Sequence, residues 1–189
     1  MDVLALLTAD HNRVRGHFDR FKKAEEASDQ ATMADVVTKI TEDLTVHTTV
    51  EEEIFYPWVR GLSAEIADLV DEGMEEHHVA KILLEEIVGL TPGADEWVAK
   101  VKVLIENVEH HAEEEETEMF PKTRSASDAD DRELQGQRIE GRKGELGAPV
   151  AAHAAGMSKE QLAGLATEQH IPGRSKMDRD ELAATVDAR

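Results

Sequence analysis

The sequence predicts an all-α protein built on an up-down-up-down four-helix bundle, and three observations carry that prediction. Apolar residues recur at 3-4-3-4 spacing through four long segments. Each segment ends at a polar stretch or a helix breaker. Ala, Leu, Glu and Lys dominate while aromatics make up 4% of the 189 residues, a composition that favours helix over strand.

The first seam reads Leu4, Leu7, His11, Val14, Phe18 and Phe21, and ends in the polar run from Glu25 to Gln30. The second reads Val37, Ile40, Leu44, His47, Glu51, Ile54 and Trp58, with Pro57 and Gly61 marking its end. The third, Ile66, Val70, Gly73, His77, Ala80, Leu84 and Ile87, closes at Gly89 and the Pro92-Gly93 turn. The fourth, Trp97, Val101, Leu104, Val108, His111 and Glu115, stops at Pro121. Short breaks between the segments imply antiparallel neighbours.

Beyond residue 125 the pattern weakens. A charge-rich additional helix is expected over 126–146, capped by Ser127, with Leu134, Ile139 and Leu146 apolar, lying on the bundle rather than in it. Residues 147–157, rich in Ala and Gly around Pro149, read as a linker. Within 158–189, two short amphipathic pieces, 158–169 and 178–186, flank the run from Ile171 to Ser175 as a small helix-loop-helix.

A formal net charge of −20, from 41 acids and 21 bases, repels phosphate backbones and anionic membranes, so neither nucleic acid nor membrane is an expected partner. The absence of cysteine excludes disulfides, thiolate metal sites and cysteine nucleophiles. No apolar run approaches the ~20 residues of a membrane span, and Met1-Asp2-Val3 opens no leader, so a soluble cytoplasmic protein is expected.

The chemistry lies in the seams. A buried histidine or carboxylate is costly unless hydrogen-bonded, paired or metal-bound, and six seam positions hold one: His11, His47, Glu51, His77, His111 and Glu115. His47 and Glu51 are four residues apart, as are His111 and Glu115, which sets each pair on one helical face. A weak repeat supports a pseudo-twofold metal pocket: both His-x3-Glu-Glu runs stand at the same distance from a proline, and Asp10-His11 parallels Glu76-His77. The other histidines, His17, His78, His110, His153 and His170, fall off the seams or outside the bundle and are expected at the surface. Imidazole and carboxylate without thiolate suit iron, manganese or zinc. Two six-coordinate ions need about twelve bonds, of which these residues and a shared oxygen supply all but about two. His78, Tyr56 or another neighbour could fill an open position.

These motifs resemble the hemerythrin-type HHE cation-binding domain over residues 1 to about 125: Asp10-His11, His47-x3-Glu51-Glu52 with Phe55 and Pro57, Glu76-His77-His78, and His111-x3-Glu115-Glu116 with Phe120-Pro121. The resemblance implies an oxo- or hydroxo-bridged di-iron centre that binds or senses O2 or NO. Two departures point to a more open, reactive site. Oxygen carriers of the family have a second histidine where Lys81 stands, and an Asp five residues beyond the last His where this chain has Glu115 at four. Relatives with this pattern suggest decomposition of hydrogen peroxide as the enzymatic alternative; an iron-binding or structural metal bundle is a third. The tail is similar to the N-terminal helix-loop-helix of Rho termination factors through Leu162, Leu165, Ala166, Ile171, Gly173, Arg174, Ser175, Met177, Glu181 and Leu182. Its bases are offset by acids, so a protein partner is expected there ahead of nucleic acid.

Overall fold

The computed structural model describes residues 1–147 together with Arg174, Met177 and Leu182. Apart from Gly147 and these three residues, the expected linker and helix-loop-helix of the tail, with His153 and His170, lie outside the described residues. The chain divides into two compact units, Met1–Arg142 and Lys143–Arg189, and the first holds the bundle. Among the described residues every regular element is helical and no strand occurs, as the seams predict.

Helix α1 spans Val3–Glu26 and starts where the Asp2 carboxylate accepts the Leu4 amide at 2.9 Å. Asp29 does the same for Thr32 at the start of α2, Gln30–Val50, and Ser63 for Ile66 at the start of α4, Ala64–Val88. Helix α5, Asp95–Glu114, comes after a turn in which Gly93 takes φ +81°; a side chain there would also sit 2.8 Å from Gln30 Cγ.

The second helical stretch ends at Val59, between Pro57 and Gly61 as expected, whereas the fourth runs past its expected stop at Pro121 to Ala126. A π-helical turn, Glu51–Phe55, extends α2 and leads into α3, Tyr56–Val59, which contains Pro57. A second, Glu115–Met119, extends α5 and leads into α6, Phe120–Ala126, which contains Pro121. In each, the glutamate carbonyl accepts the amide five residues on, Tyr56 to Glu51 and Phe120 to Glu115. A proline in a regular helix clashes with the carbonyl four residues before it. The wider turn opens the backbone ahead of the ring, so each proline sits in the first turn of a new helical segment, where it is tolerated.

The core forms two clusters. One gathers Val14, Phe18, Phe21, Val36, Ile40, Leu44, Leu84, Trp97, Val101 and Leu104. The other gathers Val3, Leu4, Leu7, Phe55, Tyr56, Val59, Ile66, Val70, Met119 and Phe120. His11 falls between Leu7 of the second cluster and Val14 of the first, and His77 between Val70 and Ala80, so a polar layer separates the two.

The additional helix is present as α7, Ala129–Glu145. Its first turn is capped by Asp128, which accepts from the Asp131 amide at 2.9 Å, while Ser127 Oγ donates to the Thr123 carbonyl. Ile139 is fully buried in the second cluster, whereas Leu134 stays half exposed. Arg132 reaches the Asp2 carboxylate at 2.8 Å and Arg142 the Glu53 carboxylate at 2.7 Å. Gly136 allows the Met1 carbonyl to approach: a Cβ there would lie 1.9 Å from that oxygen.

Candidate metal centre

All six residues marked by the seams are buried, between 0% and 5% exposed, and they converge in the polar layer. Their ligating atoms form two groups, His11, His47, Glu51 and Glu115 in one and Glu51, His77 and His111 in the other, so Glu51 belongs to both. The Nε2 atoms of His11 and His47 are 3.2 Å apart, and those of His77 and His111 are 3.0 Å apart. Two ligands ~2.1 Å from one ion and at right angles are separated by ~3 Å, so each pair has the spacing of adjacent vertices on a six-coordinate metal. Glu51 Oε2 lies 3.1 Å from His47 Nε2 and 3.3 Å from His77 Nε2, between the two pairs. Glu115 Oε2 lies 3.3 Å from His11 Nε2 and 3.9 Å from His111 Nε2.

The outward nitrogens explain why the inward ones face a cavity. Each Nδ1 points at a carboxylate from another helix: His11 at Glu116 (2.8 Å), His47 at Asp10 (3.5 Å), His77 at Glu52 (3.0 Å) and His111 at Glu76 (2.7 Å). A proton on Nδ1 donated to that carboxylate leaves the Nε2 lone pair directed inward, the tautomer a metal requires. These acids are themselves tied to bases. Arg15 reaches Glu116 at 2.8 and 3.1 Å, Lys81 reaches Glu52 at 2.6 and 2.7 Å, and Arg13 reaches Asp10 at 3.1 Å.

The donor set fits a metal on one further observation. Both oxygens of Glu51 and Oε2 of Glu115 are buried without a hydrogen-bond partner, although imidazole nitrogens surround them. Lone pairs of nitrogen and oxygen from the six residues thus converge with the Tyr56 hydroxyl as the donor facing them, an arrangement stabilised by positive charge. Without a metal that charge is a proton. His11, whose burial would lower its pKa, is raised to about 10 by Glu115 and Glu116, while burial and the charge on His11 bring His47 down to about 4. Burial and the neighbouring Glu115 push Glu51 well above the usual carboxylate range. Glu115 goes the other way: burial opposes it, but the charges on His111 and His11 hold it ionised.

Tyr56 also enters the site. Its hydroxyl donates to Glu115 Oε1 at 3.0 Å and lies 3.3 Å from His77 Nε2 and 3.5 Å from His111 Nε2. Counted five residues from the glutamate, Tyr56 matches Phe120: Phe120 stacks on His11 with centroids 6.0 Å apart, and Tyr56 stacks on His77 at 5.3 Å. One half of the site therefore presents a phenol where the other presents a hydrocarbon. Gly73 makes room for it, since a Cβ there would sit 2.8 Å from the Tyr56 oxygen and 3.4 Å from His111 Cε1.

Of the histidines expected at the surface, His78 and His110 are exposed. His17 is half-buried instead, its Nε2 3.1 Å from Asp43 Oδ2, because Asp43 of α2 faces it across the α1–α2 contact. Four acids that periodicity did not single out as functional, Asp10, Glu52, Glu76 and Glu116, orient the imidazoles; the available signal was that each adjoins a seam histidine or glutamate in sequence. A narrow pocket, with a cavity volume of about 20 Å³ for water-sized molecules, opens on the imidazoles from the side of the first core cluster, lined by Val14, Phe18, Leu44, Ala80, Asn107 and Val108 among others.

Comparison with known proteins agrees with this geometry. A curated protein named DNA nickase, from Nostoc sp. (strain PCC 7120 / SAG 25.82 / UTEX 2576), is 32% identical over 127 residues, which is 66% of this chain and 34% of that protein. This chain therefore matches about a third of that relative's length. No solved structure gives a significant match, and the comparisons lend no support to the resemblance of the tail to Rho termination factors. Residues 2–123 match the model of the hemerythrin HHE cation-binding domain, and the chain belongs to that family.

Proposed function

We propose that this is a hemerythrin-like di-iron protein that binds or senses O2 or NO at the open face of its polar layer. The observation that carries the proposal is the pair of imidazole pairs, each with Nε2 atoms about 3 Å apart, sharing the partnerless carboxylate of Glu51 between them. His11 and His47 would hold one ion, His77 and His111 the other, with Glu51 and Glu115 reaching across. Iron held there supplies reversible coordination and electron exchange to a small ligand. Manganese or zinc would accept the same donors. The chain's own part is to fix the tautomers through Asp10, Glu52, Glu76 and Glu116, and to keep bulk water from the imidazoles with the apolar walls of the pocket.

A second reading, decomposition of hydrogen peroxide, is favoured by the Tyr56 hydroxyl. It stands 3.0 to 3.5 Å from Glu115 and two imidazoles, within reach to hand over or accept a proton at the phenolic oxygen. A metal bundle without small-ligand chemistry is the remaining reading, and the tail is proposed as a contact for a protein partner. Action on DNA, suggested by the name of the Nostoc relative, is not proposed, because the match covers 34% of that protein and the net charge of −20 repels a phosphate backbone. No helix among the described residues is long and apolar enough to cross a membrane; a cytoplasmic location is part of the proposal.

Metal analysis by mass spectrometry on protein expressed with added iron tests this, with visible spectra before and after O2, NO and peroxide. About two irons per chain and a spectrum reversibly changed by O2 or NO are expected. Sustained O2 release from peroxide would move the assignment to the enzyme, and zinc alone would leave the structural bundle.

A further inference from the structure

Three of the four acids that orient the imidazoles are held by a fixed cation: Asp10 by Arg13, Glu52 by Lys81 and Glu116 by Arg15. Glu76 is the exception. Its Oε2 meets His111 Nδ1 at 2.7 Å, and among the described residues no lysine or arginine pairs with it. Its other oxygen faces a different group. Oε1 lies 3.8 Å from His110 Nε2, which lies 3.4 Å from Glu114 Oε1, and the three ligating atoms fall within 4.8 Å of one another.

The two matching halves of the chain isolate the difference. Asp10 in one half corresponds to Glu76 in the other, each directly before its seam histidine. Three residues beyond Asp10 stands Arg13, which reaches back to it at 3.1 Å; three beyond Glu76 stands Val79, exposed and without charge. The residues directly before His47 and Glu51 are Val46 and Val50, whereas those directly before His111 and Glu115 are His110 and Glu114. One half thus carries a cation and two valines. The other carries no cation and two more metal donors, with the His-x3-Glu spacing that sets both on one helical face. The negative charges of Glu72 and Glu118 bear on Glu114 as well, so the charge left unbalanced here is negative.

We infer that Glu76, His110 and Glu114 form a second, outer site for one divalent cation of the class that imidazole and carboxylate bind, such as Mn2+, Zn2+ or Fe2+. Donors ~2.1 Å from an ion are ~3.4 Å apart at a tetrahedral angle and at most ~4.2 Å apart, a range that includes both His110 contacts. Water fills the remaining positions, in keeping with a His110 side chain that is 62% exposed. The ion takes Oε1 of Glu76 and leaves Oε2 on the His111 imidazole, and so does for this acid what Arg13 does for Asp10. This site goes beyond the proposed di-iron reading and shares no metal donor with it.

The test measures Mn2+ binding to metal-free protein by equilibrium dialysis, in wild type and in a Glu51→Leu background that disables the inner pair. Glu51→Leu protein should keep one Mn2+ per chain, and the ion should broaden the His110 ring resonance in the proton NMR spectrum before that of His17. Adding His110→Ala and Glu114→Gln should weaken this ion at least about tenfold, the lower end of what even outer partners of a metal contribute. Adding Val79→Arg instead removes no donor but supplies the missing cation, and should weaken the ion too. Circular dichroism should be unchanged in both. A Glu51→Leu protein that binds no Mn2+, or one whose Mn2+ affinity is indifferent to His110→Ala and Glu114→Gln, overturns the inference. Wild-type protein whose bound Mn2+ is all lost with His110→Ala and Glu114→Gln would support the outer site while withdrawing the inner one.

Discussion

Lys81 Nζ sits 2.6 and 2.7 Å from the two carboxylate oxygens of Glu52, whose Oε1 in turn meets His77 Nδ1 at 3.0 Å. The residue at the place where oxygen carriers of the family have another histidine thus points away from the polar layer and steadies the acid that orients one of its imidazoles. The same chain of base, acid and imidazole runs from Arg15 through Glu116 to His11.

Glu52→Gln and Glu116→Gln should therefore each weaken metal binding about 10- to 100-fold while leaving the helical fold intact. Competition against a chelator, with circular dichroism as the control for folding, measures this. Unchanged affinity in both variants would mean that the carboxylates do not set the tautomers. Lys81→Met, which removes an exposed ion pair, should cost at most about 1 kcal/mol of stability.

Removal of a donor should act with opposite sign on loaded and metal-free protein. His47→Ala or Glu115→Ala should lower bound metal and the melting temperature of the loaded protein together, whereas His78→Ala, exposed and outside both groups, should change neither. Glu51→Leu should abolish loading of the ion pair yet stabilise the metal-free fold by about 1–4 kcal/mol, since a partnerless buried acid is replaced by packed hydrocarbon. A metal-free Glu51→Leu protein less stable than wild type would show that Glu51 is well satisfied without metal.

Acid should destabilise the metal-free bundle through Glu52 and Glu116. The His77 hydrogen bond, aided by Lys81, brings Glu52 down to about 2, and Glu116, against its burial, is brought to about 2 by His11 and Arg15. A carboxylate depressed in the folded state contributes stability that is fully present above its unfolded pKa and is lost as pH falls through the folded one. The loss should run from about pH 4.5 to pH 2, and the double Gln variant should show a flatter melting-temperature curve across that window.

Gly73→Ala should disturb one half of the site. Its new methyl would lie 2.8 Å from the Tyr56 oxygen, an overpacking that costs about 1–3 kcal/mol. Tyr56→Phe in the same chain removes the clashing atom, so a double-mutant cycle should recover most of that loss. Additive losses would mean the strain lies at His111 Cε1 instead.

The sequence made the bundle legible because burial imposes a period that survives in each seam, and six polar residues breaking it stood out. His11 and Glu51 needed no structure to be noticed. Asp10 and Glu76 did: each lies beside a seam histidine but serves the histidine of a different helix, His47 and His111, and periodicity along one helix says nothing about crossings between helices. Pro121 misled for a related reason, since a proline ends a regular helix but not one that has widened just before it. Asp128 took the cap expected of Ser127 because a carboxylate at that position reaches the Asp131 amide while the serine hydroxyl turns back to Thr123.

The two widened turns also separate tasks that one rigid helix would have to share. Each inserts a single residue, so the helical segment beyond it is rotated by about 100° relative to an unbroken helix. The segment from Gln30 to Val50 is phased to aim His47 at the polar layer, while the segment from Tyr56 to Val59 carries its own phase, which aims an aromatic ring at His77. Substitutions that retune the ring need not disturb the aim of the imidazole, and the same holds from His111 to Phe120. The two matching halves thus carry different rings, tyrosine in one and phenylalanine in the other, around a shared carboxylate.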